Sequence, residues 1–301
     1  MLIKERIAVE YPEQLAAGLI NFIRDTVERE GRRGCVLGNS GGIDSALVAF
    51  LAVRALGKDK VKLLFLPERD THKDSFADAR LLAKALDMSL ETINITPVLR
   101  KLGIYKLEPP VGLVPVWIRE KYARDKRKSL EGIVGNVFLA MLRGGENSEL
   151  QRAIAYLSAK NRVRMSLLYK QAELSNSLVL GTTNLSEKMT GLFIKYGDGA
   201  GDLAPIEKLY KTQVYELSKY LGVPDRIVKK KPIGDLIPSL TDADTLKIGY
   251  DRLDGILAGL ELGLSQDAIA SQAGVTRSEI DYVMELVSAA SSMRLGTYVP
   301  S

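Results

Sequence analysis

Cys35-Val36-Leu37-Gly38-Asn39-Ser40-Gly41-Gly42-Ile43-Asp44-Ser45 decides how the rest of the chain is read. It has the form of a short apolar strand, a glycine-rich loop and a helix that continues through Ala46-Leu47-Val48-Ala49-Phe50-Leu51-Ala52. Gly38, Gly41 and Gly42 are expected to take positive φ and to let the backbone approach a ligand. Free loop N–H groups and the positive end of the helix dipole then converge on one point, which suits phosphate. Ser40 and Ser45 add hydroxyl donors. Asp44 stands out, because a carboxylate beside a phosphate site is repelled unless a cation lies between them. Its presence points to Mg²⁺ bridging to a polyphosphate.

Outward from this loop, residues 12–30 carry Leu15, Leu19, Phe22, Ile23 and Val27 at helical spacing, with Pro12 suited to a first turn. Residues 61–66 are apolar apart from Lys62, the mark of a strand buried on both faces. Residues 74–87 read as a helix and 89–95 as a third strand. Val179-Leu180-Gly181 is a fourth, ending in Thr182-Thr183-Asn184. Strands alternating with helices predict an α/β fold, a parallel sheet with helices on both faces. In such a sheet the ligand sits at the carboxyl ends of the strands, where strand order reverses.

Residues 96–160 break that rhythm. A turn is expected at Glu108-Pro109-Pro110-Val111-Gly112. Residues 119–128 hold six basic and two acidic side chains, net +4, which reads as a solvated face or as a clamp for substrate phosphates. A connection this long is expected to be a lid, an interface element or partly disordered. A new helix is expected to open at Asn161. Further on, residues 209–221 predict a helix stopped by Gly222 and Pro224, and Lys229-Lys230-Lys231-Pro232 a basic link. Leu246, Tyr250, Leu253, Ile256, Leu257 and Leu260 form a helical stripe.

Composition narrows the class. The 301 residues are 46% hydrophobic and 26% charged, ordinary for a globular protein with an ample core. The longest apolar run, residues 46–53, falls far short of the ~20 residues that span a bilayer, and Met1-Leu2-Ile3-Lys4-Glu5-Arg6 lacks an export signal. One cysteine excludes an internal disulfide and a thiolate cluster, so a reducing cytoplasm is expected. A net charge of +5 suits a polyphosphate ligand and is too weak to argue for nucleic acid.

No lysine follows the glycines, so the loop is not of the kinase type. Ser40-Gly41-Gly42-Ile43-Asp44-Ser45 instead resembles the SGGxDS loop of the ATP pyrophosphatase superfamily. Gly181-Thr182-Thr183-Asn184-Leu185-Ser186-Glu187, Thr190-Gly191, Lys195-Tyr196-Gly197-Asp198-Gly199-Ala200-Gly201-Asp202-Leu203-Ala204-Pro205 and Leu209-Tyr210-Lys211 narrow the resemblance to the NAD⁺ synthetases. Ala159-Lys160-Asn161-Arg162-Val163-Arg164-Met165 is similar to that family's arginine helix. The resemblance implies an adenine nucleotide alpha hydrolase-like, Rossmann-like fold over residues 1–301. It carries an inserted lid or interface segment at 99–158 and a C-terminal helical part at 241–295.

The implied function is an ammonia-dependent amide ligase using ATP and Mg²⁺. A carboxylate, that of deamido-NAD⁺, attacks the α-phosphorus and releases pyrophosphate; ammonia then displaces AMP. By the same resemblance Asp44 and Glu187 hold the metal, and Gly38, Ser40, Gly41, Gly42, Asp44, Ser45, Thr182 and Lys211 contact ATP. Asp44 and Lys211 are the catalytic pair, and Arg162, Lys195 and Asp202 contact deamido-NAD⁺. A homodimer with substrate at the subunit interface is implied, with no nucleic acid or membrane partner.

Two family positions differ. After Lys231-Pro232 the family carries Ser or Thr, where this chain has Ile233. The family tail carries His-Lys, where this chain reads Ser291-Ser292-Met293-Arg294-Leu295. A divergent ligase acting on another carboxylate is therefore an alternative. Cys35, in the strand before the loop, reads as a core residue rather than a glutaminase nucleophile, so nitrogen is expected from free ammonia or a separate glutaminase subunit. Residues 266–287 also fit a helix-turn-helix pattern, the basis of a third reading as a nucleotide-binding regulator. The second helix of that pattern is net −2 from Thr276 to Val287, however, and a helix entering the major groove should be basic.

Overall fold

The structure, a computed structural model, describes residues 2–107, 116–145, 147–231 and 241–297. The expected turn at Glu108–Gly112 and the site expectation at Ile233 lie outside them. In chain order come α1 (Ile3–Ile7), α2 (Pro12–Arg29), β1 (Gly34–Gly38), α3 (Ile43–Leu56), β2 (Val61–Phe65), α4 (Lys73–Ala85), β3 (Leu90–Thr92) and α5 (Thr96–Lys101). Next are α6 (Val116–Val134), α7 (Val137–Leu142), α8 (Ser148–Ser175), β4 (Ser177–Leu180), α9 (Leu185–Thr190), α10 (Lys211–Leu221) and α11 (Asp225–Val228). The C-terminal part adds α12 (Asp242–Leu246), α13 (Tyr250–Glu261), α14 (Gln266–Ala273), α15 (Arg277–Ala289) and α16 (Ser291–Arg294).

The four strands form one sheet in the order β3-β2-β1-β4, and every pairing is parallel. Because side chains alternate across a strand, each strand feeds two cores. Cys35, Leu37, Leu63, Leu178 and Leu180 join the α2, α3 and α10 side with Ile23, Leu47 and Leu217. Val36, Leu64 and Val179 join the α5 and α8 side with Leu99, Met165 and Leu168. That two-sided burial explains why β1, β2 and β4 are almost wholly apolar, with the polar side chains of Lys62 and Ser177 at partly exposed positions. β1 lies between β2 and β4, so the chain leaves it toward both sides, and the loop after β1 occupies the switch point.

The third strand is shorter than expected, three residues at the sheet's edge rather than 89–95. The irregular stretch is largely helical among its described residues. Asn147 caps α8 by accepting from the Glu149 and Leu150 N–H groups, and the helix runs 28 residues until Asn176 adopts the left-handed conformation at φ 49°. The expected helix start at Asn161 therefore lies in the interior of α8. Of the basic run, Lys121, Arg124 and Lys128 are exposed on α6. Helices α14 and α15 bury Ile269, Ile280, Val283 and Leu286 against Ile3 and the Leu253, Ile256 and Leu257 stripe of α13. The helix-turn-helix pattern is thus a packed terminal core, with Arg277 paired to Asp267 on its surface. Among the described residues no helix is long and apolar enough to cross a membrane.

Candidate active site

A cavity of about 270 Å³ opens at the carboxyl ends of β1, β2 and β4. The glycine loop forms one wall: Gly38, Ser40, Gly42, Asp44 and Ser45 line it, joined by Thr182, Glu187 and Lys211. Asn39 fixes the loop. It accepts the Gly41 N–H at 3.0 Å and donates Nδ2 to the Ala79 carbonyl at 2.9 Å. Of the three glycines only Gly41 has positive φ, at 76°. A Cβ there would stand 2.7 Å from the Ser75 carbonyl, so the loop needs glycine at this point for both conformation and space. Gly41 itself does not line the cavity. The N–H groups of Gly41 and Gly42, expected free, are taken by Asn39 Oδ1 and Ser40 Oγ. These bonds shape the loop in advance, and the first turn of α3 supplies the N–H groups that its own helix cannot use.

Asp44 and Glu187 are 143 residues apart in sequence and meet at the cavity lip. Lys211 Nζ stands between them, 2.6 Å from Asp44 Oδ2 and 3.0 Å from Glu187 Oε1. Local sequence brings them there. Glu187 is the third residue of α9 and forms a capping box with Asn184. Asn184 Nδ2 donates to Asp44 Oδ1 at 2.9 Å, so one fully buried asparagine orients both carboxylates. Lys211 opens α10, its N–H held by Ser186 Oγ, which donates in turn to the buried Asp254 carboxylate at 2.5 Å. The Lys211 ammonium also lies 5.3 Å from the Tyr250 ring centre, and Tyr250 donates to Asp242.

The charges are unbalanced, with three carboxylates, Asp44, Glu187 and Asp242, acting on one lysine. Burial raises the Glu187 carboxyl above its ordinary range, and Asp44 and Asp242 add to this against the pull of Lys211. Burial alone would lower Lys211; Asp44 and Glu187 hold it well above the usual lysine value. Among the described residues no three His, Cys, Asp or Glu side chains converge as a closed metal cage. Mg²⁺ rarely needs one, since one or two carboxylates complete its shell with substrate phosphates and water. The hard oxygen donors of Asp44 and Glu187, which share one ammonium group, fit that ion.

Arg162, Lys195 and Asp202 do not line the cavity. Arg162 donates to the Lys195 carbonyl at 3.2 Å, and Lys195 Nζ reaches the Ser292 carbonyl at 3.2 Å. Asp202 accepts from the Val179 N–H at 2.8 Å and from the Tyr169 hydroxyl. Asn161, Arg164, Thr71, His72 and Lys230, to which the sequence assigned no site role, also line the wall; His72 stands at the nucleotide rim where its loop was expected. Cys35 is 1% exposed, and burial pushes its thiol up to about 12, so it is a core residue without nucleophilic character.

A second polar cluster supports the wall that carries Thr71 and His72. Lys160 of α8 is buried between Glu68 at 3.0 Å and Asp70 at 2.8 Å. Arg69 pairs with Asp70 and stacks 4.0 Å over Tyr105, and Tyr156 donates to Asp70. Burial alone would raise the Asp70 carboxyl, but Lys160, Arg69 and Tyr156 together hold it down at about 2. In the unfolded chain the same group takes its proton near pH ~4. Asp70 therefore contributes on the order of 2 kcal/mol of stability above about pH 5, lost as pH falls from about 4 to 2. Asp70→Asn should lower the melting temperature at pH 7 and flatten the acid limb of a stability–pH profile. An unchanged acid limb would remove Asp70 from this role.

Comparison with known proteins agrees with the geometry. A family model described as NAD synthase matches residues 15–108 and 133–294. An NH3-dependent NAD⁺ synthetase of Thermotoga neapolitana is 46% identical over 243 residues, covering 81% of this chain and 83% of the relative. Among solved structures, NMN synthetase from Francisella tularensis superposes with a TM-score of 0.70 at 26% identity, covering 96% of this chain and 98% of that one. An NH3-dependent NAD synthetase from Campylobacter jejuni in complex with nitrate does so at 0.69 and 27%, covering 97% and 100%.

Proposed function

Because the chain belongs to the NAD synthase family, we propose that it joins ammonia to the carboxylate of deamido-NAD⁺ with ATP, releasing AMP and pyrophosphate. It is a carbon–nitrogen ligase of the NH3-dependent kind. The observation that supports the site assignment most directly is the meeting of Asp44, Glu187 and Lys211 at the lip of the phosphate loop. In this reading the loop and the α3 N-terminus hold the triphosphate, with Gly38, Ser40, Gly42, Ser45 and Thr182 around it. Lys211 places a fixed positive charge where pyrophosphate departs. Asp44 and Glu187 would hold Mg²⁺, which when bound neutralises charge on the leaving group.

A carboxylate oxygen of the substrate forms a bond to the α-phosphorus as the bond to pyrophosphate breaks. Ammonia then bonds to the acyl carbon, loses a proton, and AMP departs with the electron pair of the acyl–oxygen bond. The protein's part is orientation and charge stabilisation, with no covalent intermediate on the chain. We assign Arg162, Lys195 and Asp202 to the distal part of the dinucleotide, on a face that the second subunit of a homodimer would cover. Segment 99–158 serves as the lid or interface element, nitrogen comes from free ammonia or a glutaminase partner, and the working compartment is the cytoplasm.

A second reading, amidation of a different carboxylate, has one observation in its favour. Lys195 is tied to the backbone of a tail that lacks His-Lys, at Ser292 and Gly296. One assay separates the two: ATP, Mg²⁺ and ammonium with a panel of such acids. AMP and pyrophosphate in equal amounts with the amide are expected, fastest from deamido-NAD⁺. ADP and phosphate would rule out adenylation, and a faster alternative acid would establish the second reading.

A further inference from the structure

Beside the phosphate loop lies a charge cluster that joins the cavity wall only through Lys230. Asp78 of α4 is 1% exposed and binds two cations: Arg226 Nε at 2.7 Å on one oxygen and Lys230 Nζ at 2.8 Å on the other. Its helix packs directly on the back of the loop. A Cβ on Gly41 would come within 3.0 Å of Asp78 Cβ, and Asn39 bonds the adjoining Ala79 carbonyl. The two cations are placed differently. Arg226 is 59% exposed and absent from the cavity wall, whereas Lys230 is 24% exposed and lines it.

A buried carboxylate needs compensation, and Arg226 supplies part of it. Lys230 fulfils a second role. Asp78 engages one of its three ammonium donors, which leaves the others for an anion in the cavity. A charge tethered in this way requires little rearrangement when the anion arrives. We propose that Lys230 contacts the polyphosphate in this cavity and that Asp78 is the positioning residue that aims it. This deepens the reading above and rests on the cavity's being a polyphosphate site.

The test uses the full chain, with inorganic pyrophosphate as the probe beside ATP kinetics. Lys230→Met should weaken pyrophosphate binding and raise KM for ATP by on the order of tenfold. Asp78→Asn, which leaves the lysine but frees it, should lose less on both readings and add little to Lys230→Met in the double variant. Arg226→Gln, which removes the outward partner, should stay within about twofold. Pyrophosphate affinity unchanged in Lys230→Met would overturn the contact. So would an equal loss in Arg226→Gln, which would mark diffuse charge in place of an aimed one. Additive losses in the double variant would overturn the role of Asp78. If Asp78→Asn does not fold, the Lys230 and Arg226 variants still decide the contact. Wild-type protein that binds neither ATP nor pyrophosphate would instead overturn the proposed function itself.

Discussion

Lys211→Met should lower kcat/KM by about a thousandfold, the upper range for losing one preorganised donor at a developing anion. Methionine matches the lysine stem in length, so packing at this 1% exposed position is preserved and charge is what changes. Two consequences follow. The charge proposed to meet pyrophosphate disappears, and Asp44 Oδ2 and Glu187 Oε1, which now share the ammonium at 2.6 and 3.0 Å, face each other without it. Breaking a buried ion cluster by removing one partner costs about 3 kcal/mol, so the melting temperature should fall as well. Lys211→Arg should rescue little, because a planar fork cannot occupy a point site walled by Tyr250. Steady-state kinetics and thermal unfolding measure the two effects separately. A Met variant within tenfold of wild type would place the lysine outside the chemistry.

Local chemistry that decides its own conformation was legible in the sequence. Residues 35–45 gave strand, loop and helix because apolar burial, glycine and a helix start fall in immediate succession. The capping box at Asn184 and Glu187 is equally local, although nothing near it announces that Asn184 also reaches Asp44. The Glu68–Lys160 and Asp78–Lys230 pairs lie 92 and 152 residues apart. Each lysine alone looks like a surface charge, and only the fold reveals the buried carboxylate opposite it. Helix α8 was legible as a continuous helix only from Asn161 onward, because a stretch rich in polar residues hides the continuity that Asn147 and Asn176 enforce from its ends. Lys195 shows the converse. A motif can specify which residues matter to a family while leaving open which surface they face when a single chain is considered.

Asp44→Asn should reduce Mg²⁺-dependent turnover by about a thousandfold, a loss comparable to that of Lys211, while leaving the fold nearly intact. Asparagine keeps the shape but offers one acceptor oxygen, so it can receive either Asn184 Nδ2 or Lys211 Nζ, which bond different oxygens of Asp44 at 2.9 and 2.6 Å; the backbone of the first turn of α3 is undisturbed. What it removes is the negative charge at the loop's mouth, and this gives the substitution a distinctive sign. Without metal, Asp44 repels the phosphates, so the variant should bind metal-free ATP as well as wild type or better. With saturating Mg²⁺ the order should reverse, because the cation would have lost one of its two proposed anchors. Glu187→Gln gives an independent check: glutamine in the third position still closes a capping box with Asn184, so α9 keeps its start while the charge and the acceptor for Lys211 are lost. Magnesium titrations of ATP binding and of amide formation in both variants test the pair. Wild-type magnesium dependence in either would take that carboxylate out of the metal site and leave it as a partner of Lys211 alone.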